Sequence, residues 1–245
     1  MFAEGDKTRT WSEDKMLDTK LIVVDGLPGS GKSTTVQWLT ERLQRNGIKT
    51  RWLQESELSH PLWWYDYWDG TNYLPPDFDN IPMGAFIETS LKRWEDFVAS
   101  VRVSGELYVV ESVFFQNAVA MFLMGDAKPT LLVDYAHKVQ RITRDLNPVL
   151  IYFYQTNVAA ALRKICDLRG QDFEDELLKN MESFPYLRRR GLTGLAGVTI
   201  LWQEIRRLTD VLFDRYTISK LALENSEDNW PYYRQQILDF LGVPF

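Results

Sequence analysis

Two patterns of hydrophobic residues alternate along this chain. Short apolar runs, which are typical of buried parallel strands, predict strands at residues 21–24, 49–54, 107–111, 149–154 and 219–223. Between these runs apolar residues recur every three or four positions, which predicts helices that include residues 36–43, 83–103, 130–146, 158–168, 199–216 and 232–241. Strands and helices in alternation predict an α/β fold of three layers, with a central parallel sheet of about five strands and helices on both faces.

The first predicted strand runs into a glycine-rich loop that fits the P-loop pattern G-x-x-x-x-G-K-[ST]. Strand, loop and helix follow in the order that this motif requires, so we expect backbone N–H groups to surround the phosphates of ATP. Lys32 is predicted to reach the β- and γ-phosphates, and the hydroxyl of Ser33 to bind Mg²⁺. The residues predicted to bind ATP are Gly26, Pro28, Gly29, Ser30, Gly31, Lys32, Ser33 and Thr34.

Carboxylates stand at the ends of the first three predicted strands, and the ends of parallel strands meet at one edge of a sheet. Glu111 follows four apolar residues, and we expect it either to hold Mg²⁺ or to deprotonate an acceptor hydroxyl. Glu55 is predicted to contact the acceptor. Asp25 is a further candidate, with hydrogen bonds to loop N–H groups as the alternative.

The segment 56–82 is a long insertion rich in aromatic residues and proline. Long irregular segments are often functional, and aromatic rings can stack on a flat substrate. Trp64 and Trp68 are therefore predicted to bind the phosphoryl acceptor. The alternative is a packed flap whose aromatic residues only cover the sheet.

The segment 170–198 combines clustered arginines with glycines, a composition that suits a lid closing over phosphates. Arg189, in the run Arg188-Arg189-Arg190, is predicted to contact the ATP phosphates. The alternative for this cluster is an ordinary solvated turn.

Composition is that of a globular protein, with 45% hydrophobic and 25% charged residues. We expect a flexible extension over residues 1–19 and one kinase-like domain over residues 20–245. The net charge of −6 disfavours charge-driven binding to nucleic acid, and no apolar run approaches the length of about 20 residues that spans a bilayer. Cys166 is the single cysteine, which fits a reducing cytoplasm, and nothing in the sequence indicates an oligomeric state.

The P-loop, the strand end at Glu111 and the run of residues 161–170 together resemble the thymidylate kinase and deoxynucleoside kinase group of the P-loop NTPase superfamily. The resemblance implies that Arg163 and Arg169, on the helix after the fourth strand, contact the transferred phosphoryl group. The chain has Glu111-Ser112 where that group has Asp-Arg or Glu-Arg, so the acceptor is left open.

These observations predict an ATP- and Mg²⁺-dependent kinase that acts on a small-molecule acceptor such as a nucleoside or nucleotide, with no membrane partner. Lys32, Glu111, Arg163 and Arg169 are the predicted catalytic residues. Two alternatives stay open: an ATPase or switch that acts on a protein, and a kinase that acts on nucleic-acid ends or modified bases.

Overall fold

The structure is a computed structural model that describes residues 18–55, 57, 59–63 and 83–244 of the chain. Its strands are β1 (Leu21–Gly26), β2 (Thr50–Leu53), β3 (Leu107–Glu111), β4 (Val149–Tyr154) and β5 (Ser219–Glu224). Its helices are α1 (Lys32–Arg45), α2 (Met83–Ser104), α3 (Gln116–Met124), α4 (Pro129–Thr143), α5 (Val158–Arg169), α6 (Gln171–Glu182), α7 (Pro185–Arg190), α8 (Gly194–Arg215) and α9 (Trp230–Leu241). A short 3₁₀ turn, Arg144–Leu146, follows α4.

The strands form one parallel sheet in the order β2-β3-β1-β4-β5. β1 lies at the centre, where Ile22 is in register with Val109 of β3 and Val149 of β4. Every residue of β1 and of β3 is buried. Burial on both faces explains why these strands are continuous apolar runs rather than alternating ones.

Helices cover both faces of the sheet, and each face has its own hydrophobic core. On one face Ile22 and Val24 of β1 pack with buried residues of α1 and α9, such as Leu39 and Ile237. On the other face Leu21 and Val23 pack with a larger set of side chains from α2, α3, α4, α5 and α8. The predicted three-layer α/β fold with a five-stranded parallel sheet is confirmed.

Three helices were not predicted from the sequence. α3 has buried residues on all sides, so it has no polar face to reveal a helical period. α6 and α7 fall within the segment expected to be a lid, where the charged and glycine-rich composition obscured them. The helix predicted at 130–146 ends at Thr143, and Asn147 then reverses the chain in a left-handed conformation with φ of 47°.

Among the described residues no helix combines sufficient length with sufficient hydrophobicity to cross a membrane.

Candidate active site at the carboxyl edge of the sheet

The loop between β1 and α1 forms an open cradle at the N-terminus of α1. Gly31 is the N-cap of this helix, in a left-handed conformation, and no side chain caps the first turn among the described residues. Gly26, with φ of 150°, has no room for a side chain because a Cβ would lie 2.5 Å from the carbonyl oxygen of Phe153. An uncapped N-terminus presents free backbone N–H groups and a positive helix dipole, which together suit an anion.

Lys32 lies in the first turn of α1 and is only 5% exposed. Its Nζ donates a hydrogen bond to the carbonyl oxygen of Leu27, 3.1 Å away within the loop. Burial lowers the pKa of Lys32, and the nearby carboxylates of Glu55, Asp25 and Glu111 oppose that shift. The ammonium group is thus held in the cradle among three acids.

Ser33 and Glu111 come together at the ends of neighbouring elements. The hydroxyl of Ser33 donates to Glu111 Oε2 over 2.5 Å, and the backbone N–H of Glu55 donates to Glu111 Oε1 over 3.2 Å. Both carboxylate oxygens of Glu111, which is fully buried, are therefore engaged. These contacts fix the orientation of Glu111 beside the first turn of α1.

Glu55, just after β2, has a different environment. Ser112 Oγ donates to its Oε2 over 3.0 Å, and Gln116 Nε2 donates to its Oε1 over 3.1 Å. Burial raises the pKa of Glu55, and the attraction of Lys32 opposes the shift. A carboxylate with a raised pKa, held by neutral donors, is suited to accept a proton.

Asp25 is a structural residue in this fold rather than a ligand. Its Oδ1 accepts from the backbone N–H groups of Gly26 and Gln116, and its Oδ2 from those of Phe114 and Phe115. The side chain thereby joins the end of β1 to the start of α3. Of the two interpretations open from the sequence, the structure supports hydrogen bonding to loop N–H groups.

Two clefts open on either side of the P-loop. The larger has a volume of about 580 Å³ and the smaller about 360 Å³. Pro28, Gly29 and Arg169 line both of them, so the clefts meet at the loop. The larger one is bounded by residues of the P-loop, α3, α6 and α8, and the smaller one by α5 and the segment between β5 and α9.

The predicted site arginines Arg163, Arg169 and Arg189 have different surroundings. Arg169, at the end of α5, lies at the junction of the two clefts. Arg163 is bound by Glu174, with 3.0 Å between Nη1 and Oε2, and lines neither cleft.

Arg189, which was predicted to contact the ATP phosphates, is not among the residues that line either cleft. Its Nη1 lies 3.0 Å from an oxygen of Asp126, which Arg190 also binds at 2.8 Å. The short helix α7 that carries them is anchored through buried Pro185 and Leu187. These ion pairs attach α7 to the loop between α3 and α4.

Trp64 and Trp68 lie outside the described residues. Their neighbour Trp63 is described, and it lines the larger cleft. The indole Nε1 of Trp63 donates to the carbonyl oxygen of Glu55 over 2.6 Å. At least one aromatic side chain from the start of the insertion therefore faces this cleft.

Several residues of the two clefts were missed by the sequence analysis. Gln116 and Asn117 of α3 line the larger cleft. They are polar and come shortly after the end of β3, so the sequence could have indicated them as site residues. Asn225 follows β5, and its Nδ2 donates to the carbonyl oxygen of Ser30 over 2.7 Å. Trp230 lines the smaller cleft and packs against Phe153. No local pattern indicated either of these last two residues.

The donor atoms at the P-loop fit a magnesium ion. Ser33 and Glu111 supply hard oxygen atoms 2.5 Å apart beside the P-loop, and Mg²⁺ commonly takes one or two protein oxygens together with water and substrate phosphates. Among the described residues no three His, Cys, Asp or Glu side chains cluster as a metal site.

The sheet order, the loop between β1 and α1 and the buried lysine define a P-loop NTPase fold. No protein-family model matches the chain, and no curated protein sequence matches it. The structure is similar to thymidylate kinase from Ehrlichia chaffeensis, with 10% identity over 92% of this chain and 100% of that one, and a TM-score of 0.50. The structure of APE1195 has 15% identity over 92% of this chain and 96% of that one, with a TM-score of 0.46. At these identities the similarity concerns the fold, and it rests on the first comparison.

Proposed function

We propose that this protein is an ATP- and Mg²⁺-dependent phosphotransferase that acts on a small molecule. The observation that carries the proposal is the pair of clefts that meet at the P-loop. A nucleotide in the smaller cleft would direct its terminal phosphate to the loop, where the larger cleft leaves room for a second substrate. A hydrolase that uses water as its acceptor does not need this second volume.

The phosphate-binding groups would be the uncapped N-terminus of α1, Lys32 and Arg169. The free N–H groups and the ammonium of Lys32 would hold the β- and γ-phosphates. Arg169, whose guanidinium lies 4.8 Å from the ring centre of Phe173, stands where the two substrates would meet. A cation at that junction stabilises the charge that develops on the transferred phosphoryl group.

Ser33 and Glu111 would hold the magnesium ion, which when bound neutralises charge on the phosphate oxygens. The sequence left Glu111 with two roles, and its surroundings favour this one. Both of its oxygens are already occupied by Ser33 and by the backbone of Glu55, so Glu111 is oriented toward the first turn of α1.

Glu55 would be the base. Its raised pKa makes the carboxylate a better proton acceptor than an ordinary glutamate, and it lines the larger cleft beside Lys32. The acceptor hydroxyl would transfer its proton to Glu55 while its oxygen bonds to the γ-phosphorus. The bond from that phosphorus to the β–γ bridging oxygen breaks, and ADP leaves.

The proposal is tested with the full chain, Mg²⁺ and ATP labelled at the γ-phosphate, against a panel of nucleosides, sugars, amino alcohols and nucleotides. We expect labelled product from at least one small molecule. Lys32→Ala should lower turnover by about 10²-fold or more, because it removes a cation from the phosphate cradle.

Lys49→Ala is the matched control, because Lys49 is 72% exposed and pairs only with a surface acid, Glu106, among the described residues. It should retain wild-type turnover. Equal turnover in Lys32→Ala and wild type, or ADP formation that no small acceptor stimulates, would contradict the proposal. Thermal melting of both variants checks that they are folded.

A further inference from the structure

The charges around the larger cleft limit what can bind beside the P-loop. Lys32 and Arg169 are the cations among the described residues that line this cleft, and both stand at the loop, where the ATP phosphates would take them. The ionisable groups on the remaining wall are the carboxylates Glu55 and Glu111. The magnesium ion would neutralise Glu111, so a phosphate monoester bound on this wall would meet the carboxylate of Glu55 and, among the described residues, no side-chain cation of its own. Phosphate recognition normally requires arginine, lysine or several N–H donors.

Gln116, which lines the same cleft, carries an unpaired hydrogen-bond acceptor. Gln116 Nε2 donates to Glu55 Oε1 over 3.1 Å, so the amide nitrogen is committed to that carboxyl group. The amide oxygen, Gln116 Oε1, is then left buried with no hydrogen-bond partner among the described residues. A ligand that satisfies this oxygen must bring an O–H or N–H group, which a phosphate dianion lacks.

His60 supplies a neutral donor rather than a third cation. Its Nδ1 accepts from the backbone N–H of Leu62 over 3.2 Å, so its proton is on Nε2, which is buried and has no partner in the described part of the chain. Burial lowers the pKa of His60 to about 4, and the imidazole is therefore uncharged at neutral pH. His60 lines a cavity of about 20 Å³ that shares Glu55, Trp63 and Asn117 with the larger cleft.

Much of the remaining wall of the larger cleft is apolar, although Gln54 and Asn117 also line it. Side chains from α3, α6 and α8 form its wall, namely Ala120, Met121, Met124, Phe173, Leu177, Met181, Trp202 and Ile205. No residue of α6 is fully buried, and Phe173, Leu177 and Met181 of this helix both pack at the edge of the hydrophobic core and line the cleft. Such a wall stabilises an apolar or aromatic body and leaves the polar groups of a small sugar unsatisfied.

We propose that the acceptor is an alcohol or amino alcohol with a bulky apolar or aromatic body and without a phosphate group. The inference rests on the proposed function and specifies its second substrate. The hydroxyl oxygen of this acceptor forms the bond to the γ-phosphorus, its proton passes to Glu55, and ADP is the leaving group. The acidic and acceptor-rich wall selects the free alcohol over the corresponding monophosphate.

The first test compares matched pairs, each a free alcohol and its phosphate monoester, such as thymidine with thymidylate, adenosine with AMP, and pyridoxine with its phosphate. Binding is measured by titration in the presence of Mg²⁺ and a non-hydrolysable ATP analogue, and transfer with γ-labelled ATP. We expect the free alcohol to bind more tightly and to be the phosphorylated member. Transfer to a monophosphate, or tighter binding of one, would overturn the inference while leaving the proposed function intact.

The second test places a cation in the cleft and does not depend on having the natural acceptor. Ala120→Lys and Gln116→Arg should each increase the affinity for thymidylate by about tenfold, as one charge-assisted contact provides. Ala99→Lys, at an exposed position of α2, adds the same charge elsewhere and should leave that affinity unchanged. The inference is wrong if thymidylate binds wild type as tightly as Ala120→Lys, or if both cleft variants behave like Ala99→Lys.

The two proposals fail in different ways. Binding of the ATP analogue, and its loss in Lys32→Ala, reports on the proposed function alone. A protein that binds the analogue yet prefers monophosphates retains the function and contradicts the acceptor class. The melting temperature of each variant identifies those that do not fold. If Ala120→Lys does not fold, Gln116→Arg provides the same test, and the reverse also holds.

Discussion

Replacing Asp25 with asparagine should destabilise the fold without removing a catalytic group. The carboxylate accepts four backbone N–H groups, two on each oxygen, at distances of 2.8 to 3.1 Å. Asparagine keeps one accepting oxygen, so two of these buried N–H groups lose their partner whichever way the amide turns. Each orphaned buried donor costs about 1–3 kcal/mol, which gives about 2–6 kcal/mol in total.

A second effect of this substitution has the opposite sign. Burial raises the pKa of Asp25, so the native protein bears a cost for burying this charge, which a neutral amide does not share. The expected net loss in the free energy of unfolding is therefore about 2–4 kcal/mol. It should appear in urea unfolding at neutral pH, followed by far-UV circular dichroism, as a lower midpoint with an unchanged slope.

Asp239→Asn is the matched control for this measurement. Asp239 is exposed on α9, where its carboxylate accepts from Gln235 over 2.7 Å, and asparagine can still accept that bond. Its unfolding should be indistinguishable from wild type. A loss below about 1 kcal/mol in Asp25→Asn, or a loss of turnover with unchanged stability, would refute the structural role of Asp25.

Other perturbations separate the remaining roles. Glu111→Gln should lower kcat by about 10²-fold with ATP affinity nearly unchanged, and a normal kcat in steady-state assays would argue against a role in metal binding. Burial raises the pKa of Glu55, and a base must be unprotonated, so kcat should fall with decreasing pH already above the ordinary glutamate range. This acid limb should be absent from the residual activity of Glu55→Gln. Gly31 and Gly47 have φ of 83° and 78°, but a Cβ at Gly31 would lie 2.1 Å from Trp230, whereas one at Gly47 meets nothing within 4 Å. Unfolding experiments should show a loss of about 1–2 kcal/mol for Gly47→Ala and about 2–5 kcal/mol for Gly31→Ala, and equal losses would contradict the close packing of Trp230.

The sheet and the P-loop were predictable because their signals are local. A buried parallel strand is apolar along its whole length, and the loop needs glycines, lysine and serine at fixed spacing whatever surrounds them. Residues 21–33 therefore indicated β1, the cradle and the start of α1 without reference to the rest of the chain. The edge at which Glu55 and Glu111 meet also followed, because parallel strands end on the same side.

The positions of the arginines depended on contacts between distant segments. Arg189 binds Asp126, which lies 63 positions earlier in the chain, and no local pattern distinguishes that ion pair from a phosphate contact. Arg163 and Arg169 stand on one helix, but rotation about the axis of α5 and the placement of α6 decide that Arg169 lines the clefts. The sequence indicates which residues have the charge to bind phosphate, and tertiary packing decides which of these residues line the clefts beside the P-loop.

Neighbouring residues and the geometry of parallel strands were enough to predict the fold class, the P-loop and the acidic edge of the sheet. Only the tertiary structure separated Asp25, held by four N–H groups, from Glu55 and Glu111. The tertiary structure also brings Gln116 and His60 beside Glu55, although these two residues come from segments on either side of α2 and β3. Hydrogen-bond satisfaction and burial are properties of packed surroundings, and they determine which polar atoms are left to bind a substrate.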